Sequence, residues 1–373
     1  MKKLAILLSG LAVIACGTAN KSKQPDSTRL PALKISENGR YFMNEDGSPF
    51  FWLGDTGWLL PNKMTREDGA EYLKVRGEQG FNVIQVMVLH NVANVNVYGD
   101  TALMNRDVAR PITTEGNDPA DSLQYDYWDH LDYFIDQAGK NGLYMALVPV
   151  WGSNVGSGHV NQQQAKVYGE WIANRYKDLS NIIWLNGGDI QGKDSIEVWQ
   201  TLGEAIRHTD PNHLTTYHPR GRTTSSMWFH DEQWLDFNMF QSGHRSYAQG
   251  QNADEREYGE DNWKYIQEDY AKTPAKPTLD GEPSYENIPI GLHDCDNGYW
   301  KPADIRRYAY WSVFAGGAGF TYGESSIMQM LQQWELDRRT DRKALYGAWM
   351  AWDKAVYSEG AAPMHIIKDL MLS

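Results

Sequence analysis

The sequence predicts an α/β protein, a (β/α)8 TIM barrel with a short N-terminal β-hairpin, and three observations carry that prediction. From about residue 50 onward, short runs rich in β-branched residues alternate with stretches of helical spacing, the pattern of repeated βα units. Polar side chains stand at the end of nearly every run, as they do where a barrel builds its site from the loops after its strands. The 373 residues also suit one barrel of about 250 residues with insertions. A doubly wound sheet would need a phosphate-binding loop, and neither G-x-G-x-x-G nor a Walker sequence follows an early strand.

The chain begins MKKLAILLSGLAVIA, with Lys2 and Lys3 ahead of an apolar stretch too short to span a membrane, so residues 1–15 read as a secretion signal. The segment Val13-Ile14-Ala15-Cys16 resembles a bacterial lipobox, in which Cys16 becomes the acylated N-terminus; a plain signal with an incidental cysteine is the alternative. Residues 16–32 are polar and without hydrophobic period, which describes a tether. The catalytic barrel is expected over 33–373. Asn38-Gly39 and Asp46-Gly47 mark tight turns of a hairpin ahead of it.

Strand 1 is expected at 50–55, followed by a helix from Thr65, whose hydroxyl and Asp68 three residues on make a capping-box-like start. Strands at 82–89 and 144–151 flank a helix in which Trp128, Leu131, Ile135 and Ala138 keep helical spacing. Helices near 162–177 and 195–208 bracket strand 4 at 182–185, and strand 5 follows at 214–217. Strands 6, 7 and 8 are expected at 237–240, 278–279 and 319–322, with a helix at 305–314 before the last.

Side chains just past these strands should share one rim: Asp55, His90, Trp151, Asp189, His218, Gln241, His244, Glu282 and Tyr322. Each alone could be a turn former or a helix cap. Breaking a glycosidic bond requires one carboxyl that stays protonated to donate to the leaving oxygen and one that stays ionised. Asp189 in IIWLNGGD and Glu282 in PTLDGEP are the best-placed pair, with Asp280, Glu286 and especially Glu324 as competitors. Fifteen Trp and 21 Tyr would suit stacking on sugar faces, although most large aromatics pack in cores.

Removing residues 1–15 takes Lys2 and Lys3 with it and moves the net charge from -13 to -15, which disfavours nucleic acid as a partner. An acidic polysaccharide is still compatible, since a local basic site can hide in a negative average. Cys295 is the only cysteine after Cys16, so no disulfide framework is available. His208 and His213 have no ligand pattern. Asp294, Asp296 and Asn297 before Gly298 lack the terminal glutamate of a calcium loop and read as a solvated turn. No metal and no cofactor are expected.

The motifs NGRYFMNEDGSPFFWLGDTGW, GFNVIQVMV, IIWLNGGDI, FQSGH, LDGEPSYENIP and WSVFAGGAGFTYG together resemble the glycosidases of domain-of-unknown-function family 4038, which include the apiosidases of glycoside hydrolase family 140. The resemblance runs from about Leu33 to the C-terminus. It implies a general acid/base at Asp189 after strand 4 and a nucleophile at Glu282 after strand 7, with retention of configuration. It also implies removal of apiose from side chains of the pectin rhamnogalacturonan II, a plant cell-wall substrate. Asp55, His90, His218, Gln241 and His244 would then hydrogen-bond sugar hydroxyls, with Trp151 or Tyr322 offering an apolar face. An Asp in NGGD, where the larger clan has Asn-Glu, shortens the acid's reach.

Substrate choice is expected in loops 91–126 and 242–262. Members of the family commonly continue into a small β-sandwich, whereas this chain stops at MHIIKDLMLS; residues 343–373 are expected to be the last barrel helices, with an exposed apolar face. The lipid anchor would be the only membrane contact, placing the protein at the outer membrane and facing the periplasm, since Gly17 to Lys23 carry no acidic run. A glycosidase for another pentofuranoside would use the same acids; a non-catalytic carbohydrate-binding lipoprotein would have no need of both.

Overall fold

A computed structural model describes residues 29–249 and 255–373. The expected signal and Cys16 lie outside the described residues, as does the tether up to residue 28. Three short strands open the fold, β1 (Leu33–Ile35), β2 (Phe42–Asn44) and β3 (Pro49–Phe50), paired antiparallel. The expected hairpin is therefore one strand larger. The eight barrel strands are β4 (Trp52–Thr56), β5 (Val83–Met87), β6 (Tyr144–Val148), β7 (Ile182–Ile190), β8 (Thr215–Pro219), β10 (Asn238–Gln241), β11 (Thr278–Asp280) and β12 (Gly319–Tyr322). A two-residue β9 (Thr223–Thr224) lies antiparallel on β10.

Neighbours pair in parallel from β10 through β11, β12, β4, β5, β6 and β7 to β8. The barrel closes between β8 and β10, where Asp236 N–H donates to the Thr215 carbonyl at 2.8 Å and the Asp236 carboxylate accepts from Thr215 N–H at 2.7 Å.

Helices Arg66–Glu78, Tyr127–Lys140, Gln162–Tyr176, Ile196–Thr209, Trp263–Tyr270 and Pro302–Phe314 fill most of the βα connections. Local chemistry sets their starts. Thr65 Oγ1 accepts from Asp68 N–H, while Asp126 and Asn161 make full capping boxes with Asp129 and Gln164. Only a single turn, Ser226–Phe229, connects β8 to β10, and His365–Met371 takes the eighth helix position against β4. Ile367 of that last helix is buried, while Ile366 and Leu370 are exposed.

Along each strand the pleat divides the core in two. Tyr144, Ala146 and Val148 of β6 point into the barrel with Val83, Ile183, Leu185, Met239 and Leu279, while Met145 and Leu147 face the helices. The small N-terminal sheet stoppers the barrel at the end where its strands begin. Phe42 meets Phe237 edge-on at 5.0 Å and Phe50 meets Tyr144 at 5.3 Å. Leu30 packs against the same cluster, and the Tyr144 hydroxyl donates to the Pro31 carbonyl, so the last residues of the expected tether lie on the barrel. With that end filled, the open rim is the one at the strands' C-terminal ends.

Candidate active site

That rim holds a cavity of about 690 Å³. Asp189, Glu282, His90, Trp151, Gln241 and His244 all line it, so most of the residues expected at the strand ends do meet.

Asp189 is put there by an irregular end to β7. Gly187, Gly188 and Asp189 have φ of 91°, 107° and 50°, and the pairing with β8 slips between Gly187 and Ile190. Both glycines are required by their surroundings. A Cβ on Gly187 would come within 2.5 Å of the His218 carbonyl oxygen, and one on Gly188 within 2.5 Å of the Trp151 ring. Aspartate is among the few other residues that tolerate the left-handed region, so the NGGD sequence turns the carboxyl toward the cavity. The carboxyl is open to the cavity yet sits deep in the molecule. That burial, with the nearby Glu282 carboxylate, lifts its pKa to about 6 against the pull of His218, Arg220 and His244.

Glu282 follows β11 after Gly281, whose carbonyl accepts from Gln85 Nε2 at 2.8 Å across the barrel interior. Its Oε1 is 3.0 Å from His244 Nε2 and its Oε2 is 3.2 Å from His218 Nε2. The second contact has ion-pair distance but poor hydrogen-bond alignment, since neither atom has a hydrogen-bond partner. Burial alone would raise the Glu282 pKa. The two histidines outweigh burial and hold it at about 2. His218 and His244 thus touch the carboxylate, where hydrogen bonds to sugar had been expected of them. Their rings are packed by Trp58 and Trp151 on His218 and by Tyr285 on His244.

Three expected site residues do not line the cavity: His218, fully buried against Glu282, and two that are not brought to the site at all. Asp55 is fully buried and accepts from Tyr72 Oη at 2.7 Å and Arg76 Nε at 2.5 Å. Tyr322 is also fully buried and donates to Glu286. The pleat explains both: they lie in register on β4 and β12, on the side where Leu53 and Phe320 face the helices. Strand-end position was read correctly, but not the parity of the face.

The competing carboxylates are structural. Asp280 accepts from Ser242 and Asn262, and Glu286 from Tyr322 and Gly360 N–H. Glu324 caps the Ser325–Met328 turn through the N–H groups of Ser326 and Ile327, and burial raises its pKa to about 8. Asp294 closes its turn by accepting from Asp296 N–H and pairs with Lys343 at 2.9 Å.

Sequence reasoning missed several residues on or under the cavity wall. Trp58 lies on the wall and its Nε1 donates to Tyr285 Oη at 3.0 Å, while burial and the adjacent Glu282 push the Tyr285 phenol well up. Both stood inside motifs already singled out, WLGDTGW and LDGEPSYENIP. Arg220, Arg222 and Tyr346 also line the cavity, from loops whose course the sequence does not disclose.

A deep cavity with one carboxyl whose pKa is raised and another whose pKa is lowered, from different chain segments, can cleave a glycosidic bond. Known proteins agree with that chemistry. A structure described as a glycoside hydrolase matches with a TM-score of 0.83 and 46% identity, covering 93% of this chain and 75% of that one. A glycoside hydrolase family 5 structure from Bacteroides vulgatus ATCC 8482 matches with a TM-score of 0.82 and 45% identity, covering 91% of this chain and 71% of that one. An endo-1,4-beta-D-mannanase from Thermotoga petrophila RKU-1, at 15% identity, TM-score 0.53, and covering 74% of this chain and 88% of its own, shares the fold. No curated protein sequence matches. The family model described as the apiosidase-like catalytic domain matches residues 36–373, and the chain belongs to that family of glycoside hydrolases.

Proposed function

We propose that this glycoside hydrolase removes terminal apiose, a branched pentofuranoside, from plant pectin side chains such as those of rhamnogalacturonan II. The observation that carries the mechanism is the opposite displacement of two carboxyl pKa values in one cavity, Asp189 lifted and Glu282 lowered. Asp189 gives its proton to the glycosidic oxygen as the bond to the sugar breaks. Glu282 attacks the anomeric carbon, its charge held ready by His218 and His244. Asp189, now ionised, takes a proton from water, which displaces Glu282 and returns the sugar with its configuration retained. Support for the sugar itself is the family's description as apiosidase-like. Cys16, if acylated, would tether the enzyme to the outer membrane on its periplasmic side, within reach of imported fragments. Labelling with a fatty-acid probe, lost in Cys16→Ser, and protection from protease on intact cells are expected of that address.

Sugar release from rhamnogalacturonan II fragments tests the reading. The wild type should free apiose, and Asp189→Asn and Glu282→Gln should each lose on the order of 10²-fold or more in turnover, as removal of a proton donor or nucleophile does. Release of a different sugar would keep the mechanism and replace the substrate.

A further inference from the structure

Asp280 ends β11, two positions before Glu282. In register with Phe240 and Phe320, it faces the helices and not the cavity, and it is fully buried. Its Oδ1 accepts from Ser242 N–H at 3.3 Å, and its Oδ2 accepts from Ser242 Oγ at 2.6 Å and from Asn262 Nδ2 at 3.0 Å. Burial lifts its pKa to about 6 against the hydrogen bonds from Ser242, Asn262 and the Glu282 backbone N–H. A carboxyl buried among neutral donors is costly to a fold. What this one grips is the segment Ser242-Gly243-His244 after β10.

That segment is pinned along its length. Gly243, with φ of 81°, donates its N–H to the Glu282 carbonyl at 3.1 Å, and its own carbonyl accepts from Ser284 Oγ at 2.8 Å. The His244 carbonyl accepts from Gly291 N–H at 2.7 Å and from Trp300 Nε1 at 2.9 Å. The imidazole is held less well. Its Nε2 meets Glu282 Oε1 at 3.0 Å, and because a carboxylate only accepts, Nε2 donates. Its Nδ1 is buried with no hydrogen-bond partner among the described residues. A histidine is ordinarily aimed by the bond at its second nitrogen. Without that anchor, the backbone beneath the ring and the edge-on Tyr285 ring, 4.6 Å away between centres, decide where Nε2 points.

We propose that Asp280 is a positioning residue for the reaction: through Ser242 it fixes the segment that lays His244 on Glu282, without itself reaching the sugar. Its consequence for catalysis rests on the glycosidase reading; the aim of His244 does not. Glu282 also faces His218 at 3.2 Å and the charge of Asp189, so the His244 contact is one of several that set its state. Asparagine cannot replace Asp280, because either orientation of its amide turns a donor toward Ser242 or Asn262.

Nuclear magnetic resonance of the full chain with isotope-labelled histidine tests the aim of the ring. The His244 Nε2–H signal, identified by its loss in His244→Asn, should exchange with solvent at least about tenfold faster in folded Asp280→Asn than in the wild type, and to a lesser extent faster in Ser242→Ala. Should Asp280→Asn fail to fold, Ser242→Ala decides by the same signal. On rhamnogalacturonan II fragments, Asp280→Asn should lower kcat at least about tenfold with KM little changed, yet less than about twofold further in a His244→Asn background, since both losses pass through one contact. A residue that only stabilised the fold would lower kcat equally in the two backgrounds. That equal loss, or unchanged exchange in the folded variants, would overturn the proposal. Exchange governed by Asp280 in a protein that releases no sugar supports the positioning and counts against the glycosidase reading alone.

Discussion

Asp189 and Glu282 are both carboxyls deep in one cavity, and what separates them is their neighbours. Glu282 has two histidines within 3.2 Å, whereas Asp189 has chiefly burial and the charge of Glu282. The pH dependence follows. In the proposed mechanism Asp189 works protonated, so kcat/KM should fall as pH rises through about 6, and Glu282 works ionised, so the acid limb should lie as low as about 2. A rate profile flat up to pH 8 would contradict the assignment. His244→Asn removes the 3.0 Å contact to Oε1 and should raise the acid limb while lowering kcat more than it changes KM. The same substitution would raise KM above all if His244 served the sugar directly.

At the level of elements, the end of β7 is the part on which the site depends most. Three consecutive positive φ values and a slipped register aim one carboxyl, and the two glycines ahead of it have no room for a methyl group. Gly188→Ala meets both the Trp151 ring at 2.5 Å and a φ of 107°. It should cost about 1–3 kcal/mol by denaturant unfolding and at least about 10²-fold in kcat, because the shift lands on Asp189. Wild-type turnover in a folded Gly188→Ala would show that the turn does not position the acid. The β11 turn is held differently, from within the barrel, by Gln85 donating to the Gly281 carbonyl. Hydrophobic period revealed the long helices, since Trp128, Leu131, Ile135 and Ala138 all pack in the core. The Trp263–Tyr270 helix passed unnoticed because it is short and has no side-chain cap at its start.

Across the whole molecule, a polar network joins the first and last strands to the C-terminal segment. Asp55 and Arg76 form a fully buried pair that also reaches Tyr72 and, through Arg76 Nη1, the Val356 carbonyl. Replacing one partner leaves the other charge uncompensated, and Arg76→Met should destabilise the fold by roughly 3–5 kcal/mol in denaturant titration. Glu324 adds a pH dependence to the same region. Its folded pKa of about 8 is above the ordinary 4.5, so its stabilising contribution is complete below pH 4.5 and is lost as pH rises through about 8. Between those values stability should fall by at most roughly 1.4 kcal/mol per pH unit from this group. Glu324→Gln should flatten that slope; an unchanged slope would mean that Glu324 folds ionised.

By itself the sequence determined the βα alternation and the family, and it singled out the two carboxyls that meet in the cavity, because all three signals are local or nearly so. Apolar period follows from pleat and helix geometry, and the NGGD and DGEP turns carry their own backbone requirements. Only the tertiary structure decided which strand-end side chains reach the cavity. Asp55 and Tyr322 read like His90 and Gln241 in sequence, yet a strand turns alternate side chains to opposite faces, and one residue of register separates a cavity wall from a helix interface. Protonation was equally hidden. That the Glu282 pKa is lowered while the Asp189 pKa is raised depends on His218 and His244 arriving from β8 and from the loop after β10, a long-range charge balance that no local pattern encodes.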